Sequence, residues 1–218
     1  MRMSGVHVSV RLRDLRKGGG AGYTLVEMLV VVLIVGSLLA LGAGMFNRTG
    51  SEAVKTGSEK FTAMVEQART SAITRRKPVA LAIFSPGDTQ DGLEACRLGL
   101  FSLEEWESGE PVVGELIQRW QGLPGGVGFA GGEYESLENI MDTGKVSISW
   151  KNGSQQAEVP MLIFSARGGL LSPGGSKPVI VTIASGVHQR GEFILRNGGG
   201  RRIIRVGRVV ARPWMLDV

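Results

Sequence analysis

The chain of 218 residues contains one cysteine, Cys96, and two histidines, His7 and His188. A single cysteine excludes a disulfide within the chain, and cysteine pairs that could ligate zinc are absent. A nucleophilic cysteine needs a neighbouring base, and one of the two histidines lies in the basic N-terminal region. We therefore expect Cys96 to be a small apolar residue of a strand.

Motifs of catalysis are also missing. The sequence has no H-E-x-x-H and no G-x-S-x-G, which excludes the common zinc-peptidase and α/β-hydrolase signatures. The glycines before Tyr23 do not form a nucleotide-binding loop, because no strand precedes them and Tyr23 stands where the third small residue is required. The adjacent carboxylates Glu104 and Glu105 lie in an acidic, glycine-rich segment without an apolar pocket pattern. We predict that the protein is not an enzyme and that it has no cofactor or metal.

Aromatic residues make up only 6% of the chain, whereas glycine occurs 33 times. This composition favours a loop-rich β domain over a helical bundle. Charge is missing from one long stretch, because no charged side chain occurs between Met28 and Asn47. An apolar run of about 20 residues is long enough to cross a ~30 Å hydrocarbon core as a helix. Residues 28–46 are therefore predicted to contact membrane lipid.

The segment 1–22 is basic, with five basic residues against one acidic residue, and it ends in glycines. We interpret it as a targeting leader and exclude it from the fold. Small residues also follow the apolar run, at Gly42, Ala43 and Gly44, so ordinary signal-peptide cleavage there stays an alternative. Glu27, at the start of the apolar run, and the length of the run argue against that alternative.

One long helix is predicted from Tyr23 to about Arg75, ending before Pro78. Its first part is apolar on all sides, whereas its second part is amphipathic. The apolar residues of the second part recur at spacings of 7, 4, 3 and 4, which places them in one stripe: Val54, Phe61, Val65, Ala68 and Ala72. We expect this stripe to cover a sheet.

The chain after Pro78 alternates short β-rich runs with turn residues. Eight strands are predicted: 79–84, 97–103, 115–120, 146–150, 161–165, 179–184, 192–195 and 202–209. Asn152-Gly153 is a hairpin signal, and the three glycines at 198–200 predict a hairpin between two late strands. The fold class is predicted to be α+β: a long N-terminal helix, membrane-spanning in its first half and amphipathic in its second, packed on an antiparallel β-sandwich.

Charge in the body is divided between two regions. Residues 88–138 contain eleven acidic and two basic residues, whereas residues 190–218 contain seven arginines and two acidic residues. Opposite patches suit contacts with partner subunits, and two solvated faces are the alternative. Four of the late arginines are candidates for nucleic-acid or partner contacts: Arg201, Arg202, Arg205 and Arg208.

The stretch at the end of the leader carries a family resemblance. Gly22-Tyr23-Thr24-Leu25-Val26-Glu27, followed by Met28-Leu29-Val30-Val31-Val32-Leu33, resembles the cleavage signal of type IV prepilins and type II secretion pseudoprepilins. The resemblance implies that a prepilin peptidase cuts between Gly22 and Tyr23 and methylates the amine of Tyr23. Glycine at position 22 suits close approach of the backbone to the protease.

Glu27 is the other residue to which the resemblance gives a role. A carboxylate in lipid costs a few kcal/mol, on the order of 3 kcal/mol on insertion scales. Pairing with the Tyr23 ammonium of a neighbouring helix would offset that cost when subunits stack, so Glu27 is predicted to set the register of assembly. Snorkelling of Glu27 to the membrane interface is the alternative.

The C-terminal part resembles the GspH/FimT-type minor pseudopilins. The matching residues are Ile163-Phe164-Ser165-Ala166-Arg167-Gly168-Gly169, Val179-Ile180-Val181-Thr182-Ile183, Arg202-Ile203-Ile204-Arg205-Val206 and Gly207-Arg208. The resemblance implies a minor pseudopilin, a structural subunit of a type II secretion pseudopilus that assembles with other pilin subunits. The alternative is a minor type IV pilin that contributes to pilus assembly or to DNA binding through the C-terminal arginines.

These expectations divide the chain into four segments. They are a leader (1–22), a transmembrane helix segment (23–47), an amphipathic helix (48–77) and a β-rich globular domain (78–218). The basic leader predicts a cytoplasmic N-terminus before cleavage. The globular domain is then expected in the periplasm, anchored to the bacterial inner membrane by a single helix.

Overall fold

The computed structural model describes residues 23–86, 88, 95–106, 112–132, 137–151, 153–189 and 192–216, with backbone alone for residues 39–49. The predicted leader, 1–22, lies outside the described residues. The chain divides into two compact units, Met1–Gly42 and Ala43–Val218. The fold below concerns the second unit, apart from the first turns of the helix.

Helix α1 runs from Leu25 to Arg75, close to the predicted bounds. Its end is marked by Arg76, whose φ of 53° takes the chain out of the helix two residues before Pro78. The five residues of the predicted stripe are all buried: Val54, Phe61, Val65, Ala68 and Ala72. The amphipathic interpretation of the second half is confirmed.

The predicted membrane span, 28–46, ends within residues whose side chains are outside the described set. Across the described residues, no helix meets the length and apolarity needed to cross a membrane.

Thirteen strands and a second helix follow α1 in the described residues. The first sheet contains β1 (Val79–Phe84), β2 (Arg97–Leu103), β3 (Val112–Leu116), β4 (Gln121–Gly122), β7 (Lys145–Trp150), β8 (Gln155–Phe164) and β9 (Leu170–Ser172). The second contains β5 (Val127–Ala130), β6 (Glu138–Asn139), β10 (Val179–Gln189), β11 (Glu192–Leu195), β12 (Arg201–Val206) and β13 (Pro213–Leu216). Helix α2 is a single turn, Ile140–Thr143.

The first sheet closes on itself. Its strands follow the order β1-β2-β3-β7-β8, and β1 also pairs with β8, with Leu81 opposite Leu162. The side chains inside this ring form a separate core with four aromatic rings in mutual contact: Phe84, Phe101, Trp120 and Trp150. A two-layer sandwich does not describe this closed sheet, so the predicted architecture needs correction.

The outer faces of the same strands form a second core. In β1, Leu81 and Ile83 point to this core, whereas Ala82 and Phe84 point inside the ring. The second core also takes in the apolar stripe of α1 and the inner face of β10. Strands buried on both faces need continuous apolar runs, which explains why β1 contains no polar residue. The α+β class is therefore confirmed at the level of a helix packed on sheets.

Most strand pairs are antiparallel, as predicted, but β3 with β7 and β6 with β10 are parallel. The predicted strand 115–120 is wrong in its bounds, because β3 covers Val112–Leu116. The indole of Trp120 instead packs on the core inside the closed first sheet, which we call the ring core. A Cβ at Gly99 would lie 2.5 Å from the Trp120 ring, so glycine is required beneath it. The strands missed by sequence reasoning have two to four residues, too few to show a period of two.

The late glycines do not form the predicted hairpin. Residues 198–200 join β11 to β12, but both strands pair with β10 rather than with each other. Gly199 lies against Ser185 of β10, so the glycines allow the chain to continue along the same edge. The hairpin predicted at Asn152-Gly153 is confirmed for its two strands, because β7 before this turn and β8 after it pair antiparallel.

Candidate assembly site and basic surface

The start of α1 is held by a reciprocal pair of side chains. The backbone N–H of Thr24 donates to Glu27 Oε2 at 2.9 Å, and the backbone N–H of Glu27 donates to Thr24 Oγ1 at 3.2 Å. The Thr24 hydroxyl also donates to Glu27 Oε2, at 2.9 Å. This arrangement is a capping box, which satisfies backbone donors that a helix N-terminus leaves unpaired. Glu27 therefore has a partner within its own chain.

Sequence reasoning missed this local role of Glu27. The pattern Thr-x-x-Glu ahead of an apolar run is a sequence signature of a capping box, so the signal was present at Thr24. The predicted ion pair between Glu27 and a neighbouring amine concerns a second chain and stays a prediction. Tyr23, the predicted site of methylation, is 81% exposed, and Gly22 lies outside the described residues.

The first turns of α1 expose large apolar side chains on every side. Their exposed fractions range from 47% to 81%, and they are Leu25, Val26, Met28, Leu29, Val30, Val31, Val32, Leu33, Ile34, Val35 and Leu38. Single exposed apolar residues are ordinary on soluble proteins, but a contiguous set of this kind marks a contact surface.

The four candidate arginines do not form one surface. Strand β12 alternates its side chains, so Arg201 and Arg205 project away from the face that carries the buried residues Ile204 and Val206. Arg201 and Arg205 are exposed. Arg202 lies on the other face, where its guanidinium donates to Met215 Sδ at 3.4 Å.

Arg208, the fourth candidate, is bound by groups of its own chain. Its guanidinium forms an ion pair with Glu138 and donates to the carbonyls of Pro173 and Lys177, the latter at 2.6 Å. Its side chain is only 14% exposed. Arg208 therefore ties the loop before β10 to the end of β12, and little of it is available for a partner.

An exposed aromatic residue lies beside the basic pair. Trp214 of β13 is directly opposite Arg205 in the antiparallel register and is 52% exposed. Directly opposite residues project from the same face of a sheet, so Trp214 shares the face of Arg201 and Arg205. Two exposed cations with an aromatic ring are a surface that suits an anionic partner with stacking groups.

Cys96 is buried, as expected, but it precedes β2 rather than lying within it. Its Sγ is 3.3 Å from His188 Nε2, a pairing that no spacing in the sequence indicated. Burial raises the pKa of the Cys96 thiol to about 11, which keeps it protonated at neutral pH. Nucleophilic cysteines have lowered pKa values instead.

Glu104 lines a cavity of about 380 Å³ together with Trp120 and Trp150. Lysines 77 and 151 share its lining with Glu104 and Glu115, so its charges are balanced. Among the described residues, no group of three or more histidine, cysteine or acidic side chains is placed to hold a metal ion.

Comparison with known proteins gives structural matches alone. No family model matches the chain, and no curated protein matches it in sequence. The fold is similar to two crystal forms of the type IV minor pilin FimU of Pseudomonas aeruginosa. The P21 form is 16% identical, covers 76% of this chain and 90% of its own, and has a TM-score of 0.40. The P65 form is 16% identical, covers 75% and 92%, and has a TM-score of 0.37.

Proposed function

We propose that the protein is a structural, non-catalytic filament subunit, a minor pseudopilin of a type II secretion pseudopilus. The observation that supports this proposal is the division of α1. Its second half packs its apolar stripe on the body, whereas its first turns expose apolar side chains on every side. A helix of this kind needs a partner outside its own body, either lipid or the helices of other subunits.

The stretch from Gly22 to Glu27 supports the same proposal. A basic leader that ends in glycine, followed by Tyr-Thr-Leu-Val-Glu, resembles the pattern on which a prepilin peptidase acts. We propose that cleavage releases Tyr23 as the new N-terminus, which is then methylated. The run 28–46 is proposed to hold the subunit in the inner membrane until it joins the filament.

The mass of the mature N-terminal peptide tests this function. The full chain is expressed in a host with a prepilin peptidase, and the membrane-bound product is digested and analysed by mass spectrometry. We expect a peptide that begins with N-methylated Tyr23. A terminus after Ala43 or an intact leader would contradict the proposal. Gly22→Ala is the matched variant, and it should keep the leader because its side chain obstructs the cut.

A second function has one observation in its favour. Arg201 and Arg205 are exposed on the same face as Trp214, an arrangement that suits phosphates and a stacked base. A minor type IV pilin that binds DNA would use this face. The alternative predicts a salt-dependent mobility shift of single-stranded DNA by the full chain in detergent.

Variants separate this alternative from the pseudopilin proposal. Replacement of both Arg201 and Arg205 by alanine should weaken the shift and reduce the slope of log affinity against log salt by about 1 to 2. Arg202→Ala, on the opposite face, is the control and should leave the shift unchanged. An affinity and a salt slope that are the same in the double variant, the control and the wild type would contradict DNA binding by this face.

A further inference from the structure

One polar contact joins the two sheets near the hairpin of β10 and β11. Cys96 lies just before β2 of the first sheet, and His188 is in the last part of β10 in the second sheet. The distance between Cys96 Sγ and His188 Nε2 is 3.3 Å, within the range of a hydrogen bond to sulfur. Neither the capping box nor the basic surface involves these two residues, so the contact has no part in the function proposed above.

The protonation states of the pair follow from its surroundings. The thiol is buried and stays protonated, because burial raises its pKa to about 11. The thiol can therefore donate to Nε2 of a neutral imidazole, at 3.3 Å, and the Ser85 hydroxyl, at 4.0 Å from the sulfur, is its more distant alternative acceptor. The ring proton then lies on Nδ1, a buried atom that has no hydrogen-bond partner among the described residues. A protonated ring would offer the thiol no acceptor and would leave it only the more distant Ser85 hydroxyl, at 4.0 Å.

The ring of His188 also packs on the hairpin partner strand. His188 is directly opposite Phe193 of β11, and the two ring centroids are 4.9 Å apart. Phe193 in turn covers Gly128 of β5, where a Cβ would lie 2.5 Å from the phenyl ring. The imidazole thus packs at a tilt against Phe193, which in turn packs on β5, and these contacts hold the hairpin against the neighbouring strands.

Burial and a neighbouring charge have opposite effects on the pKa of His188. Burial lowers the pKa of His188, and the carboxylate of Asp88 opposes this effect. Asp88 is itself half-buried, which raises its pKa, although its side chain accepts a hydrogen bond from the Ser85 backbone and Lys145 stabilises its charge. Asp88 and, through it, Lys145 are the described charges that face this cluster.

We propose that the contact between Cys96 and His188 is a latch, which holds the β10–β11 hairpin on the first sheet near neutral pH and releases it on acidification. A group whose pKa is lowered in the folded state contributes stability above its ordinary value of 6.5. That contribution is lost as the pH falls through the lowered value. The imidazolium ring then leaves its partly buried position for solvent.

Release would move an apolar surface. Val187 and Ile194 lie opposite each other on the hairpin and are 52% and 47% exposed. They project from the face opposite to His188 and Phe193, because side chains alternate along a strand. The latch therefore makes the position of this apolar patch depend on pH. The contact between Cys96 and His188 lies within one chain. The latch would therefore work without other subunits and would not depend on where the leader is cleaved.

Two measurements on the full chain in detergent micelles test the latch. The chain has only two histidines, so the imidazole signals of His188 are assigned by NMR with a His7→Gln variant. Hydrogen exchange of residues 186–195, corrected for the intrinsic pH dependence, reports the hairpin. We expect His188 to titrate below 6.5 and the protection of the hairpin to fall with the same midpoint.

Three variants decide the outcome. His188→Gln keeps a neutral side chain and should make hairpin protection independent of pH in this window. Cys96→Ala removes the thiol donor and should move the His188 midpoint up towards 6.5, whereas Asp88→Asn should move it further down. Equal pH profiles for the wild type and His188→Gln would overturn the proposal. An unchanged midpoint in Cys96→Ala would also overturn it.

Discussion

Helix α1 presents two different apolar surfaces along one element. From Leu25 to Leu38 its apolar side chains are exposed all round the helix, whereas from Val54 to Ala72 they form one stripe that is buried. The first surface has exposed fractions of 47% or more, and the members of the stripe are at most 1% exposed. The same residue types are therefore exposed in one part of the helix and buried in the other.

The two exposure patterns show which sequence pattern goes with which kind of surrounding for a helix. A stripe at helical spacing, with charged residues on the other faces, matches a partner on one side, and the body of the chain supplies it. Apolar residues on all sides match a partner that surrounds the helix. A residue's partner can therefore lie within the chain or outside it, and substitutions should distinguish the two cases.

Phe61→Ala should produce the largest effect. The side chain is fully buried and packs edge to face on Phe129, with ring centroids 5.7 Å apart. Truncation of a buried phenylalanine leaves a cavity and costs about 3–5 kcal/mol. Denaturant unfolding of the full chain in detergent, followed by the fluorescence of the ring-core tryptophans, measures the free energy of unfolding.

Val32→Ala is the matched change in the first part of α1. Val32 is 67% exposed, so its truncation should alter the free energy of unfolding of the body by less than about 0.5 kcal/mol. The comparison between the two halves would fail if Val32→Ala destabilised the body as much as Phe61→Ala.

The amphipathic stripe was predictable because five apolar positions share one helical period. The strands buried on both faces, such as β1, were also predictable, since a run of Val, Ala, Leu, Ala, Ile and Phe has no polar position. The closure of the first sheet was not predictable, because the pairing of β1 with β8 joins residues that are far apart in the chain, such as Leu81 and Leu162, and leaves no local pattern. Trp120 packs on the core that this closure creates, so the sequence alone did not show that Trp120 lies outside a strand.

Arginines give the same contrast on the surface. A run of arginines in sequence indicates a basic patch, but it does not show which guanidinium has a partner within the chain. Arg208 binds Glu138 and two carbonyls, whereas Arg205 is exposed beside Trp214. The distinction depends on Glu138, 70 residues earlier, so local sequence could not reveal it.

Arg208→Ala should therefore destabilise the protein, by about 1.5–3 kcal/mol, because it removes charge-assisted hydrogen bonds and leaves Glu138 without its cation. Arg205→Ala is the control and should change the free energy of unfolding by less than about 0.5 kcal/mol. Thermal and denaturant unfolding of both variants measure the difference. Equal stability of the two variants would show that the Glu138 pair contributes nothing beyond an exposed charge.

Changes to the capping box of Thr24 and Glu27 should have the smallest effect on the free energy of unfolding of the body. They also give the sharpest test of whether Glu27 has a partner in another subunit. Thr24→Ala removes the hydroxyl that caps Glu27 and costs about 0.5–2 kcal/mol of local helix stability. Hydrogen exchange of the first turn of α1 should increase, while the free energy of unfolding of the body stays unchanged. The carboxylate itself remains, so assembly with other subunits is expected to continue.

Glu27→Gln separates the two roles of this side chain. Glutamine at this position still accepts a hydrogen bond from the N–H of Thr24, so the capping box survives, but the charge is gone. We expect this variant to be inserted and processed normally yet to be absent from sheared filaments, because the ion pair proposed between Glu27 and the amine of a neighbouring Tyr23 needs the charge. If Glu27→Gln enters filaments and Thr24→Ala does not, the capping box rather than the charge is what assembly requires.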